Sequence, residues 1–324
     1  MYNFLQKYKS VFIFIVKLII ICGAYYIISY KFSNNQVLNS SEFLTSIRVN
    51  ILNYPTIIIS VLLLTLSNWV LEIFKWKTLV STVTNISFFN AAKQSLSSLT
   101  ASLLTPNRIG EYGAKCIYYP KHQRNKILFL NFLGNTNQMA VTVLFGFISC
   151  LFIWKKIDFR FNSSLHFFGW ILTISSFILL ILFKKLIRKY GLIFIKQLKR
   201  IPNKIHLKNL GLSILRYLIF SHQFYLLLVI FGAEINYLPG IRIIFSMYLI
   251  ASLIPGFVIF DWLIKGSVAV TLFSFFGVNE LLVLSVTSIM WILNFALPSM
   301  IGSYFVLTYN RYDKEKLKAN SISI

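Results

Sequence analysis

Apolar residues in this chain form unbroken blocks, not the three-and-four spacing of a half-buried helix or the alternation of a strand. The blocks lie at about 11–30, 55–74, 127–153, 165–183, 210–232 and 281–309. A helix needs about 20 apolar residues to cross a hydrocarbon core about 30 Å thick, and each block is near that length. Short alternating segments of the barrel type are missing, so the predicted spans are helical and satisfy their own backbone groups. The first block follows Lys7 and Lys9 but has no small-residue cleavage site after it, and is read as a retained span.

Two further apolar regions are interrupted. Residues 91–119 are rich in Ser and Thr and broken at Pro106 and Gly110, and residues 241–277 are broken at Pro255–Gly256 and carry Asp261 and Lys265. A helix broken at membrane depth leaves backbone groups unpaired, which is tolerated only where protein or a water-filled cavity covers them. The Ser and Thr residues of 95–105 either allow close packing or offer hydroxyls to a ligand, and both readings stand.

Charge adds orientation. Only 13% of the 324 residues are charged, against about 25% in soluble domains. Lys and Arg number 32 against 9 Asp and Glu, a formal net charge of +23. In a soluble protein this excess would suggest nucleic acid, but here it clusters between apolar blocks, as cytoplasmic loops do beside anionic lipid, so no nucleic-acid partner is expected. The loop at 184–208 carries nine basic residues and no acid, which makes it cytoplasmic; its apolar residues suggest a helix lying on the leaflet. The loop at 120–126 and the tail from Arg311 should share that side, and the polar stretch 33–43 should face outward. These sides agree only if both interrupted regions return to the face they enter from, as re-entrant hairpins or as short paired spans. Both termini then lie in the cytoplasm.

The interrupted regions also resemble each other. ASLLTP at 101–106 is echoed by ASLIP at 251–255; an acid follows each proline (Glu111, Asp261), and a lysine follows each acid by four residues (Lys115, Lys265). An offset of about 150 residues also relates 55–74 to 210–232 and 127–153 to 281–309. With opposite entry sides, this predicts an all-α polytopic membrane protein of about six full transmembrane helices plus two re-entrant hairpins in an inverted repeat, an architecture used by secondary transporters. Chance recurrence of short apolar strings is the alternative. The single membrane domain, 1–324, divides into a first span and outer loop (1–50), a first half-repeat (51–160), a connecting span with the basic loop (161–205), a second half-repeat (206–310) and a basic tail (311–324).

With acids so scarce, their positions carry information, because an isolated charge in a bilayer is costly and usually pairs or marks a site. Arg108, Glu111 and Lys115 share one face if helical, at spacings of three and four. One reading is a phosphate or carboxylate site, with Arg108 as a bidentate fork and Lys115 and Lys265 as point charges, oriented by Glu111 and Asp261. The other is a pair of salt bridges that hold the hairpins. Asn135 and Gln138, with Asn131 on the same helix, either line a polar cavity beside the first hairpin or bond neighbouring helices. Arg216 and Lys17 read as snorkelling residues, and Glu72 beside Lys75 as structural. Cys22, Cys116 and Cys150 have no CxxC spacing, the four histidines are scattered, and no phosphate loop or nucleophile elbow occurs. No metal, cofactor or enzymatic activity is expected.

The segment LTPNRIGEYGAK resembles the Pro-x-Arg-x-Gly-Glu signature of the transmembrane region of lysylphosphatidylglycerol synthases, a flippase-like family, through Pro106, Arg108, Gly110 and Glu111. The stretch IPGFVIFDWLIKGSVAVTLFSFFGVNE is similar to that family's second signature at Pro255, Gly256, Gly277 and Val278; Phe257 and Ile259 replace glycines, and Asp261 comes one position early. The resemblance spans roughly 50–305 and lacks the soluble aminoacyl transferase domain that follows in the full synthases. It implies a lipid translocase of a bacterial cytoplasmic membrane whose partners are anionic phospholipids or lipid-linked head groups. Two alternatives stand beside it: an accessory protein that anchors an envelope glycosyltransferase or lipid-modification system, and an intramembrane transferase.

Overall fold

The computed structural model describes residues 55–103, 108–153, 184–254 and 258–309 with positions 45, 49 and 105; the side chains of 55, 184–190 and 258–261 lie outside that description. Every regular element among the described residues is helical. The elements are α1 (Pro55–Val80), α2 (Phe88–Leu103), α3 (Ile109–Ile117), α4 (Arg124–Ile153), α5 (Lys184–Leu198), α6 (Asn203–Ile230), α7 (Tyr237–Leu253), α8 (Val258–Ser274), α9 (Glu280–Trp291) and α10 (Leu297–Leu307). The expected spans at 11–30 and 165–183, the stretch 33–43, the tail from 311, Pro106, Pro255–Gly256 and the side chain of Asp261 fall outside the described residues.

Four stretches are long and apolar enough to cross a membrane: Thr56–Val80, Lys121–Ile153, Asn203–Ile230 and Glu280–Leu307. They coincide with the four expected spans that the structure describes, although α6 starts at Asn203, earlier than the expected 210. Pro202 supplies the fixed φ that opens that helix, so Lys204 and Lys208 sit on its first turns and not in a loop. The basic segment before it is helical over Lys184–Leu198, and Phe194 packs its ring against Phe129 and Phe132 of α4.

Both interrupted regions become helix pairs. In the first, α2 (16 residues) and α3 (9 residues) are too short to cross about 30 Å at about 1.5 Å per residue. They pack against each other, and Gly110 is what lets α3 approach α2, since a Cβ there would collide with the Ala101 carbonyl. The Thr105 Oγ1 accepts from Gly110 N at 2.8 Å and satisfies one of the first donors of α3. In the second pair, α7 and α8 have 17 residues each. Gly277 closes α8 in the left-handed region (φ 73°), with Gly277 N bonded to Ser274 O and Val278 N to Phe273 O. That is a C-terminal glycine cap, which gives the Phe-Gly-Val string a backbone reason.

Two apolar cores lie toward opposite ends of α1. Ile73, Trp76, Leu79 and Val80 join Ile86, Ala91, Tyr118, Tyr119, Ile127 and Ile201 in one core, where the first pair has its base and the basic segments 120–126 and 199–204 begin and end. Lys126 donates to the Thr82 carbonyl at that end. Val61 joins Ile153, Ile230, Ile241, Phe273 and Val278 in the other core, at the base of the second pair. The long helices pair as α1 with α6, α2 packs on α10, and α7 packs on α4. Thr100 ties α2 to α10 by donating to the Ser299 carbonyl at 2.8 Å.

The last span is continuous but widens between α9 and α10 into a π-helical turn, Ile292–Ala296, where Leu297 N bonds Ile292 O. Pro298 explains it: its ring would strike the carbonyl of Asn294, four residues back, and the turn opens to avoid the clash.

Candidate functional site

A cavity of about 500 Å3 lies where the two helix pairs meet the long helices, a size typical of small-ligand pockets. Its lining includes Glu72, Ser95, Arg108, Glu111, Asn135, Gln138, Arg216, Lys265, Asn294 and Phe295, with Trp69, Trp262 and Trp291 among its apolar walls. Thus Arg108, Glu111, Asn135, Gln138 and Lys265 come together in one space.

Arg108 stands at the start of α3 in the left-handed region (φ 58°), with no side-chain cap bond. Its guanidinium lies over the Phe295 ring of the π turn, 4.8 Å from the centroid. Lys265, from the second pair, approaches the same ring at 5.7 Å and Tyr248 at 6.0 Å. Such contacts stabilise a cation without neutralising it.

Lys115 faces inward and is only 2% exposed. It donates to Glu111 Oε1 and Asn131 Oδ1 at 2.8 Å each and lies 4.3 Å from the Trp76 ring centroid. It is not part of the cavity lining, so its role differs from the point charge expected of it: it fixes Glu111. Asn135 donates to the Tyr112 hydroxyl, and Gln138 to the Ser213 carbonyl of α6. Both residues therefore bind neighbouring helices and line the cavity, which joins the two readings left open for them.

The sequence reading set Glu72 beside Lys75 as structural and missed that Glu72 and Arg216 pair and line the cavity. Glu72 Oε2 lies 2.8 Å from Lys75 Nζ and 2.9 Å from Arg216 Nη1. Arg216 is no snorkelling residue at a membrane face but part of this buried cluster, its side chain 17% exposed. Its Nε donates to Asn68 Oδ1, Asn68 donates to Asn294 Oδ1 at 2.7 Å, Asn294 to Gln223 Oε1 at 3.0 Å, and Gln223 to Thr65 Oγ1. This chain of bonds ties α1, α6 and the π turn together. Local spacing discloses the Lys75 partner of Glu72, three positions on, but not the second, Arg216, 144 positions away.

The Ser and Thr residues of α2 mostly pack and bond back to their own helix, as Ser98 does to Ser95 O and Ser102 to Leu99 O. Among the cavity-lining residues, Trp69 Nε1, Ser95 Oγ and Gln138 Oε1 are buried without a protein hydrogen-bond partner among the described residues. Such atoms are costly unless a bound molecule meets them.

The family model described as the lysylphosphatidylglycerol synthase TM region matches residues 14–302, most of the chain. The chain belongs to that family. It is accordingly a multi-pass membrane protein of a family related to lipid modification. Arg108, just before α3, and Glu111 within it both line the cavity. No curated protein and no solved structure matches the chain.

Proposed function

We propose that this family member moves the phosphate-bearing head group of a lipid between leaflets of the bacterial cytoplasmic membrane, through the cavity between its helix pairs. The observation that carries the reading is the meeting of Arg108 and Lys265, from different helix pairs, around Phe295. A cation from each pair can follow one anion as the pairs shift, while the acyl chains stay in the bilayer. Glu111, held by Lys115, adds a fixed carboxylate to the cavity wall that Arg108 also lines.

The two pairs act as re-entrant hairpins of an inverted repeat. In support, their bases belong to opposite cores, and α2 rests on α10 as α7 rests on α4. Relative movement of the halves would open the cavity first to one side and then to the other. The basic end is the cytoplasmic one, by the loop-charge rule, and both termini face it. In this reading the chain is a carrier and not an enzyme, and its partners are membrane lipids, with an envelope glycosyltransferase as the source or acceptor of the cargo.

Mass spectrometry of lipids co-purifying in mild detergent tests this. A phosphate-bearing lipid should be retained by the native chain and lost from Arg108→Ala. Equal retention of the same lipid by both would refute the site.

A further inference from the structure

We infer that the cargo head group carries at least two negative charges, as a lipid-linked diphosphate does, and is not a cationic aminoacylated phospholipid. This rests on the lipid-handling reading above and names the chemistry its cavity accepts.

Five cations lie in or directly behind the cavity wall: Lys75, Arg108, Lys115, Arg216 and Lys265. Lys265 aside, the described carboxylates Glu72 and Glu111 face the other four, which leaves an excess of two. Uncompensated charge at membrane depth is costly, and it is stable only with a counter-charge. A phosphodiester would supply one negative charge and a diphosphate two or more, whereas a lysyl ester would add positive charge to a positive site.

The excess is also placed in two parts. Glu72 is shared between Lys75 and Arg216, so one positive charge is unmatched on the α1–α6 side. Glu111 is taken by Lys115, and Arg108 has no ion-pair partner among the described residues, so the second lies beside Phe295. Both parts open on the same cavity. Two linked phosphates match two linked centres of positive charge. The orphan donors Trp69 Nε1 and Ser95 Oγ suit phosphate oxygens, which only accept, and Gln138 Oε1 would take a hydroxyl beyond them.

The full chain in phosphatidylcholine nanodiscs should be titrated with farnesyl diphosphate, farnesyl monophosphate, phosphatidylglycerol, lysylphosphatidylglycerol and inorganic diphosphate. Farnesyl diphosphate is expected to bind roughly tenfold or more tighter than phosphatidylglycerol, with lysylphosphatidylglycerol weakest. Arg108→Gln and Lys265→Gln should each weaken the diphosphate more than the phosphodiester, and Arg108→Lys should restore part of the loss. Tightest binding of phosphatidylglycerol or its lysyl ester would overturn the charge inference while leaving lipid handling intact. Binding of inorganic diphosphate as tightly as the farnesyl form would overturn a lipid-linked cargo. Binding of none of the lipids would sink the lipid reading itself.

Discussion

Arg108 holds a left-handed backbone conformation (φ 58°) that costs an L-residue roughly 1–2 kcal/mol. A non-glycine residue persists there when its side chain is needed where that turn aims it, here over Phe295. Arg108→Gly removes the strain together with the guanidinium. The variant should melt no lower than the native chain yet lose lipid transfer; a fall in both would mark Arg108 as merely structural. Glu72 has the opposite character. Its loss leaves Lys75 and Arg216 buried without a counter-charge, so Glu72→Gln should destabilise by about 3–5 kcal/mol, read in a denaturation series in detergent. The pairing of Glu111 with Lys115 was legible from their spacing of four. That of Glu72 with Arg216 was not, because their meeting depends on how α1 packs on α6.

Among the elements, the long apolar blocks could be read directly, since a bilayer demands continuous hydrophobicity and leaves few alternatives. The π turn at Ile292–Ala296 could not, although Pro298 held the signal. A proline in a span can kink, break or widen a helix, and neighbouring helices decide which. Pro298→Ala should close the turn and rotate Asn294 and Phe295 away from Asn68 and Arg108. We expect severalfold slower transfer with no loss of thermal stability, and unchanged transfer would show that the turn is incidental. The first pair offers a contrast of glycines. Gly110→Ala drives a methyl into the Ala101 carbonyl and should cost about 1–3 kcal/mol, whereas Gly113→Ala meets open space and should be neutral or slightly stabilising in the same melt.

For the whole molecule, the charge pattern indicated which segments share a face, and the structure gathers the described basic segments at one end of α1. It also places Arg108 and Lys265 on one ring, which sequence order alone could not do, because the two pairs are separated by more than a hundred residues. The packing of α2 on α10 and of α7 on α4 joins segments far apart in the chain, which sequence order does not disclose. The central claim is movement of a lipid head group past Arg108 and Glu111. Leaflet transfer of a labelled, phosphate-bearing lipid in reconstituted vesicles tests it most directly. The native chain should catalyse transfer, and Arg108→Ala and Glu111→Ala should each abolish it while remaining folded. Native rates in both variants would contradict the account.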